Sequence, residues 1–239
     1  MVARLLWSPD SQDGGVRTRR ESIETPKRRN LIQSPPIRSP GNVNAPGEEG
    51  PKLHPATFVG GRIGSWHVER IVNVRGTSLP LVSHVHLIPS LESKADTGSG
   101  WVLRGITEAD HYTTPAEQMR LRSVQPKLGR QSSTRAALIP IRKSPEWWGL
   151  ASIERRAIFE ERSHHIATGL EFLPRIARRL YHSRALGEPF DFLTWFEFDP
   201  KDAPAFDQLL QRLRATQEWR YVEREVEIRL RRPEALRGQ

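Results

Sequence analysis

The sequence contains no cysteine and no long hydrophobic run. Without a cysteine among its 239 residues, the protein cannot form a disulfide scaffold, a thiolate metal site, a cysteine nucleophile or a thiolate-ligated haem. No apolar stretch approaches the roughly 18 residues that a membrane-spanning helix needs. The apolar stretch after Met1 is too short for a signal peptide. We therefore expect a soluble, cytoplasmic protein with no membrane partner.

Several common catalytic motifs are also missing. The sequence has no GxGxxG, Walker A, HExxH or GxSxG pattern. Positive charge is plentiful, with 37 Lys+Arg against 28 Asp+Glu and a formal net charge of +9. This excess leaves a basic nucleic-acid-binding protein as one alternative. Because no base-reading motif accompanies the charge, we expect no nucleic-acid partner.

The composition changes near residue 52. Residues 1–52 are rich in Pro, Ser and Arg, show no hydrophobic periodicity and hold few apolar residues to offset the entropy of ordering. We interpret them as a disordered tail, with a basic arm as the alternative. Residues 53–239 are predicted to form one globular domain.

Hydrophobic periodicity predicts an α+β fold for that domain. Strands are predicted at 66–74, 81–88, 101–105, 136–141, 190–198 and 221–230, and helices at 114–123, 152–169, 174–182 and 203–217. This alternation favours an antiparallel sheet covered by helices, ferredoxin-like in pattern. In the last strand, Glu223, Glu225 and Glu227 share one side, which we expect to face solvent or a partner.

A few polar and aromatic residues could carry chemistry. His164 and His165 are adjacent on a predicted helix and therefore about 100° apart, so only one can point inward. His165 lies one turn before Gly169, which leaves space beside its imidazole. It is either an ordinary core histidine or the axial ligand of a large planar cofactor. Arg178 is either solvated or buried near a pocket, where it would hold an anion.

Longer stretches of the sequence resemble the chlorite dismutase family of haem proteins. The similar segments are 139–148 (IPIRKSPEWW), 161–165 (ERSHH), 178–184 (RRLYHSR), 186–197 (LGEPFDFLTWFE) and 213–222 (LRATQEWRYV). Weaker similarity reaches back to about Phe58. The resemblance depends on the length and spacing of these segments, since no single short motif would suffice.

The resemblance implies a fold, a cofactor and a set of site residues. It implies a homodimeric α+β barrel of ferredoxin-like halves with one haem b per chain. His165 is similar to the proximal iron ligand, Glu218 to the carboxylate that holds it, and Arg178 to the distal arginine. The other implied cofactor contacts are Leu180, Thr194 and Phe196 on the distal wall, Tyr112 and Lys143 near the haem propionates, and Trp147.

The resemblance also implies the decomposition of the anion chlorite to chloride and dioxygen. Some family members decarboxylate coproporphyrin haem instead. They have a tyrosine where this chain has Ile139, and no arginine at the position of Arg178, which argues against that activity here. A haem peroxidase and a non-catalytic haem carrier are the remaining alternatives on this fold.

Overall fold

The computed structural model describes residues 53–92, 100–107 and 112–232. They belong to one compact unit, Glu48–Gln239; a separate unit, Met1–Gly47, and the tail predicted at residues 1–52 lie outside the described residues. No helix in the described ranges is long and apolar enough to cross a membrane. The domain boundary placed after residue 52 stays a prediction.

Eight strands and five α-helices make up the described structure. The strands are β1 (Pro55–Gly61), β2 (Trp66–Arg75), β3 (His84–Ile88), β4 (Trp101–Ile106), β5 (Arg135–Lys143), β6 (Ala177–His182), β7 (Phe192–Phe198) and β8 (Val222–Arg231). The helices are α1 (Pro115–Val124), α2 (Pro145–Gly149), α3 (Ser152–Arg156), α4 (His165–Phe172) and α5 (Ala203–Arg214). A π-helical turn, Ala157–Arg162, lies between α3 and α4.

The strands close into a barrel in the order β1-β3-β2-β8-β5-β7-β6-β4. Neighbouring strands pair antiparallel around the barrel. Around the barrel, the first four strands lie in the order β4-β1-β3-β2 and the last four in the order β8-β5-β7-β6. The two halves therefore repeat one strand order. In the second half, helices lie between β5 and β6 and again between β7 and β8. Closure of the sheet pairs the edge strands that an open sheet would expose.

Alternation along β7 separates the barrel interior from an outer layer. Leu193 and Trp195 belong to the core inside the barrel, whereas Phe196 and Phe198 pack outside it against Phe206 of α5. Successive side chains of a strand point to opposite faces, so the bulky apolar groups on both faces of β7 require cover on both sides.

Two predicted helices were wrong. Residues 177–182 form strand β6, which pairs with β7 from Ala177–Glu197 to His182–Phe192. The continuous helix predicted at 152–169 is divided by the π-helical turn and by His164, whose φ of +50° is left-handed. Pairing with a neighbouring strand, which a local pattern cannot show, decided the structure of β6.

The side of β8 that was predicted to face solvent or a partner is instead buried at two of its three glutamates. Glu225 and Glu227 are buried beneath α5, while Glu223 is exposed. Arg214 of α5 donates to Glu225 at 2.6 Å and to Glu227 at 2.7 Å. Paired arginines therefore compensate carboxylates that alternation alone assigns to the surface. Strand β1 was not predicted, and the strand predicted from residue 81 begins at His84.

Candidate functional site

A cavity lies between the outer face of β5, β6 and β7 and the helices that cover it. The sheet side contributes Ile139, Ile141, Arg178, Leu180, His182, Phe192, Thr194 and Phe196. The helical side contributes Tyr112, Leu121, Trp147, Phe159, His165, Ile166, Gly169, Leu173, Leu209, Leu210, Leu213 and Trp219, and Lys143 and Glu218 complete the lining. All nine predicted site residues therefore line one cavity.

His165 is the first residue of α4, and its imidazole is fixed from two directions. Its Nδ1 lies 2.7 Å from Oε2 of Glu218. The ring of Phe159 stacks on the imidazole with a centroid distance of 4.3 Å. A carboxylate can only accept at this distance, so Nδ1 carries the proton in the neutral ring. The lone pair of Nε2 then becomes the available ligand atom.

Glu218 is buried and takes part in three hydrogen bonds, two through its carboxylate and one through its backbone N–H. Besides His165, the Lys143 ammonium donates to its Oε1 at 2.6 Å, and its own backbone N–H donates to Ser163 Oγ at 2.9 Å. Burial by itself raises the pKa of Glu218, but the charges and hydrogen bonds of His165 and Lys143 outweigh burial and hold the pKa at about 2. Glu218 is therefore a permanent anion behind the imidazole.

Lys143 contacts Glu218, and its implied position near the haem propionates stays a prediction. Its side chain is 4% exposed and forms an ion pair with Glu218 on the helical side of the cavity. The ammonium also lies 4.5 Å from the ring centroid of Trp147 and 5.5 Å from that of Trp219. The ammonium of Lys143 therefore stabilises the Glu218 carboxylate.

Arg178 lines the opposite, sheet side of the cavity. It pairs in register with Phe196, as Leu180 does with Thr194, so the four predicted distal residues lie together on two adjacent strands. Gln125, at the end of α1, donates from Nε2 to the Arg178 carbonyl at 2.5 Å. Arg179 is exposed, because consecutive strand residues point to opposite faces.

Tyr112 and Trp147 line the helical side of the cavity, and their rings meet at a centroid distance of 6.0 Å. Trp147 is 1% exposed. Its indole nitrogen is buried and has no hydrogen-bond partner among the described residues. An unsatisfied buried donor costs roughly 1–3 kcal/mol. The cavity wall is therefore suited to a ligand that brings an acceptor.

Four residues that support this site were not predicted: Gln125, Phe159, Glu160 and Ser163. The first, second and fourth contact a predicted site residue directly, and Glu160 accepts from backbone N–H groups that follow His165. These contacts depend on tertiary structure or an irregular turn, so no local spacing indicates them. His84 and His86, which alternate along β3, do not line the cavity. No group of three or more histidine or acidic residues within the described ranges could hold a metal ion.

Comparisons with known proteins agree with this geometry. The family model for chlorite dismutase matches residues 86–231. A structure of dimeric chlorite dismutase from Nitrobacter winogradskyi is 53% identical, with a TM-score of 0.70, over 74% of this chain and 99% of that one. The curated chlorite dismutase of Ideonella dechloratans is 36% identical over 86 residues, 36% of this chain. This match spans only 28% of the length of that relative.

A more distant structure shares the fold. A chlorite dismutase variant from Candidatus Nitrospira defluvii in complex with cyanide is 22% identical, with a TM-score of 0.54, and is aligned over 76% of this chain and 91% of that chain.

Proposed function

The chain belongs to the chlorite dismutase family, and on that premise we propose that it decomposes chlorite to chloride and dioxygen with a bound haem b. One observation of the structure carries the proposal. An imidazole hydrogen-bonded to a buried carboxylate lies on one wall of an apolar cavity, and an arginine lies on the opposite wall. Iron ligation on one side and anion binding on the other are what this reaction requires.

The residues that line the cavity fit a haem. Most of the lining is aliphatic or aromatic, as a large planar ring requires. A Cβ built at Gly169, one helical turn after His165, meets nothing within 4 Å, so the chain leaves open space beside the imidazole. The indole N–H of Trp147, which has no hydrogen-bond partner among the described residues, would supply a donor for an acceptor group of the cofactor.

The helical side would hold the iron through Nε2 of His165. Glu218 accepts from Nδ1, which fixes the tautomer and raises the basicity of the ligand nitrogen. Lys143 keeps Glu218 ionised and in place. When bound, haem supplies an iron centre that can accept an oxygen atom from an oxyanion.

The sheet side would hold the reacting anion. Arg178 carries a permanent charge and planar hydrogen-bond donors. It could therefore hold a small anionic fragment of chlorite in place until the products have formed. Leu180 and Phe196 limit water there, which strengthens the electrostatic attraction. Chloride and dioxygen together contain every atom and electron of chlorite, so no external donor is consumed.

Several finer features belong to the same proposal. We infer one haem b per chain, a homodimer, ferredoxin-like barrel halves and a cytoplasmic location. The repeated strand order of the two barrel halves supports the ferredoxin-like halves. The 53% identical relative that is described as dimeric supports the homodimer.

The direct test is to reconstitute the full chain with haem and to follow dioxygen with an oxygen electrode after addition of chlorite. We expect one dioxygen for each chlorite consumed. A haem-loaded protein that evolves no dioxygen from chlorite but oxidises donors with peroxide would overturn the proposal in favour of a peroxidase.

A further inference from the structure

His165 follows an unusual break in the helical layer. The π-helical turn ends at Arg162, and His164 adopts a left-handed φ of +50° immediately before α4 begins. A left-handed conformation is costly for a residue with a Cβ and persists only where the surroundings hold it. The chain thus changes direction directly beside the candidate iron ligand, and something must fix the start of α4.

The usual means of fixing a helix start is missing at this position. A residue before a helix commonly accepts hydrogen bonds from the first backbone N–H groups through its side chain. The side chain of His164 makes no such bond. The carboxylate of Glu160 takes its place, because Oε2 accepts from the Ile166 N–H at 2.6 Å and Oε1 from the Ala167 N–H at 3.2 Å.

The same turn and the residue that follows it contact the imidazole and Glu218. Phe159, which precedes Glu160, stacks on the His165 ring, and Ser163 accepts from the backbone N–H of Glu218. The Glu160 carbonyl accepts from the His164 N–H at 2.8 Å. Glu160 therefore binds the backbone on either side of His165: its carbonyl binds His164, and its carboxylate binds the start of α4.

We propose that Glu160 is a positioning residue for His165: its carboxylate fixes the first turn of α4 and thereby holds the imidazole in its hydrogen bond to Glu218. The inference rests on the proposed function for its consequence at iron, but the positioning itself is a property of the protein without cofactor. π-Helical turns recur at functional sites, where they present a side chain that a regular helix would misplace.

The experiment compares E160A and E160Q with the control E161A, which removes the exposed carboxylate next along the chain. Nitrogen NMR of haem-free protein labelled at histidine reports the His165 Nδ1 hydrogen bond directly. In haem-loaded protein, the iron–histidine stretching band and the haem dissociation rate report the same contact at the metal. Circular dichroism shows whether each variant is folded.

We expect E160A to shift the His165 Nδ1 resonance, to lower the iron–histidine frequency and to release haem at least about tenfold faster, as losses of groups that orient a metal ligand commonly do. E160Q retains one acceptor oxygen and should show a partial effect, and E161A none. A folded E160A with an unchanged His165 resonance and unchanged haem release would overturn the proposal.

The experiment distinguishes failure of the Glu160 proposal from failure of the proposed function. If E160A fails to fold, E160Q decides alone, and an unchanged resonance in it overturns the proposal. If the unmodified protein takes up no haem, the proposed function fails, whereas the NMR comparison on haem-free protein still decides whether Glu160 positions His165.

Discussion

The ammonium of Lys143 lies 2.6 Å from Oε1 of Glu218, and both side chains are at most 5% exposed. Oε2 of the same carboxylate accepts from His165. One buried anion is therefore shared between a cation and the candidate iron ligand. How much negative charge the imidazole experiences depends on how Glu218 divides its hydrogen bonding between the two.

This sharing predicts opposite effects on the haem reduction potential. Glu218→Gln should raise the potential, because the imidazole loses the charge that stabilises oxidised iron. Lys143→Met should lower it, because Glu218 then interacts with His165 alone. A shift of about 59 mV corresponds to each tenfold change in preference between the two oxidation states. Potentiometric titration of both folded variants measures it, and shifts of the same sign would contradict the shared-anion arrangement.

Arg178 is predicted to act in the reaction and not in cofactor binding. Arg178→Ala should retain haem but lose at least about tenfold in dioxygen evolution, since a group that stabilises developing charge commonly contributes that much or more. It should also release hypochlorite, which a chlorination trap detects. The control is Arg179→Ala, the exposed neighbour on the opposite face of β6. Equal activity of the two variants would remove Arg178 from the mechanism.

The two adjacent histidines should differ completely in haem binding. His165→Ala is expected to abolish stable haem uptake, as judged by the Soret band. His164→Gly should preserve it, because glycine adopts the left-handed conformation of this position without steric cost. Haem loss in His164→Gly with retention in His165→Ala would show that the ligand had been assigned to the wrong histidine.

Gly169 should limit the space for the cofactor. Gly169→Leu is expected to leave the haem-free fold intact and to block haem uptake, because its side chain enters the open space of the cavity. Gly169→Ala should stabilise haem-free α4 by roughly 0.5–1 kcal/mol. Gly149→Leu is the matched control, since Gly149 also has open space but does not line the cavity. Haem titration and thermal unfolding distinguish these results.

The buried ion pairs beneath α5 should make stability depend on acid. Burial raises the pKa of Glu227, but the hydrogen bonds and charges of Arg214 and Arg229 outweigh it and bring the pKa below its ordinary 4.5. The ionised carboxylate of Glu227 therefore stabilises the fold above pH 4.5, and this stabilisation is lost as the pH falls through the lowered pKa. Glu227→Gln should cost up to roughly 3–5 kcal/mol near neutral pH.

Denaturant titrations of the unmodified protein and of Glu227→Gln across the acidic range test this dependence. The difference in unfolding free energy between the two proteins should shrink below pH 4.5. A difference that stays constant with pH would show that the carboxylate charge contributes nothing to the fold.

The sequence was sufficient to predict the elements whose patterns are local. The hydrophobic periodicity of β7 and α5 predicted where both elements lie along the chain. The spacing of five segments indicated the family and, with it, nine of the residues that line the cavity. These predictions succeeded because periodicity and segment spacing are properties of neighbouring residues.

Only the tertiary structure decided the features that depend on distant partners. Pairing with β7 made residues 177–182 a strand, cover by α5 buried Glu225 and Glu227, and the tertiary fold brought the Lys143 ammonium to the Glu218 carboxylate. In each case the deciding energy is a hydrogen bond or ion pair between residues ten or more positions apart in sequence. Such contacts exist only once the chain has closed on itself, so no local pattern can record them.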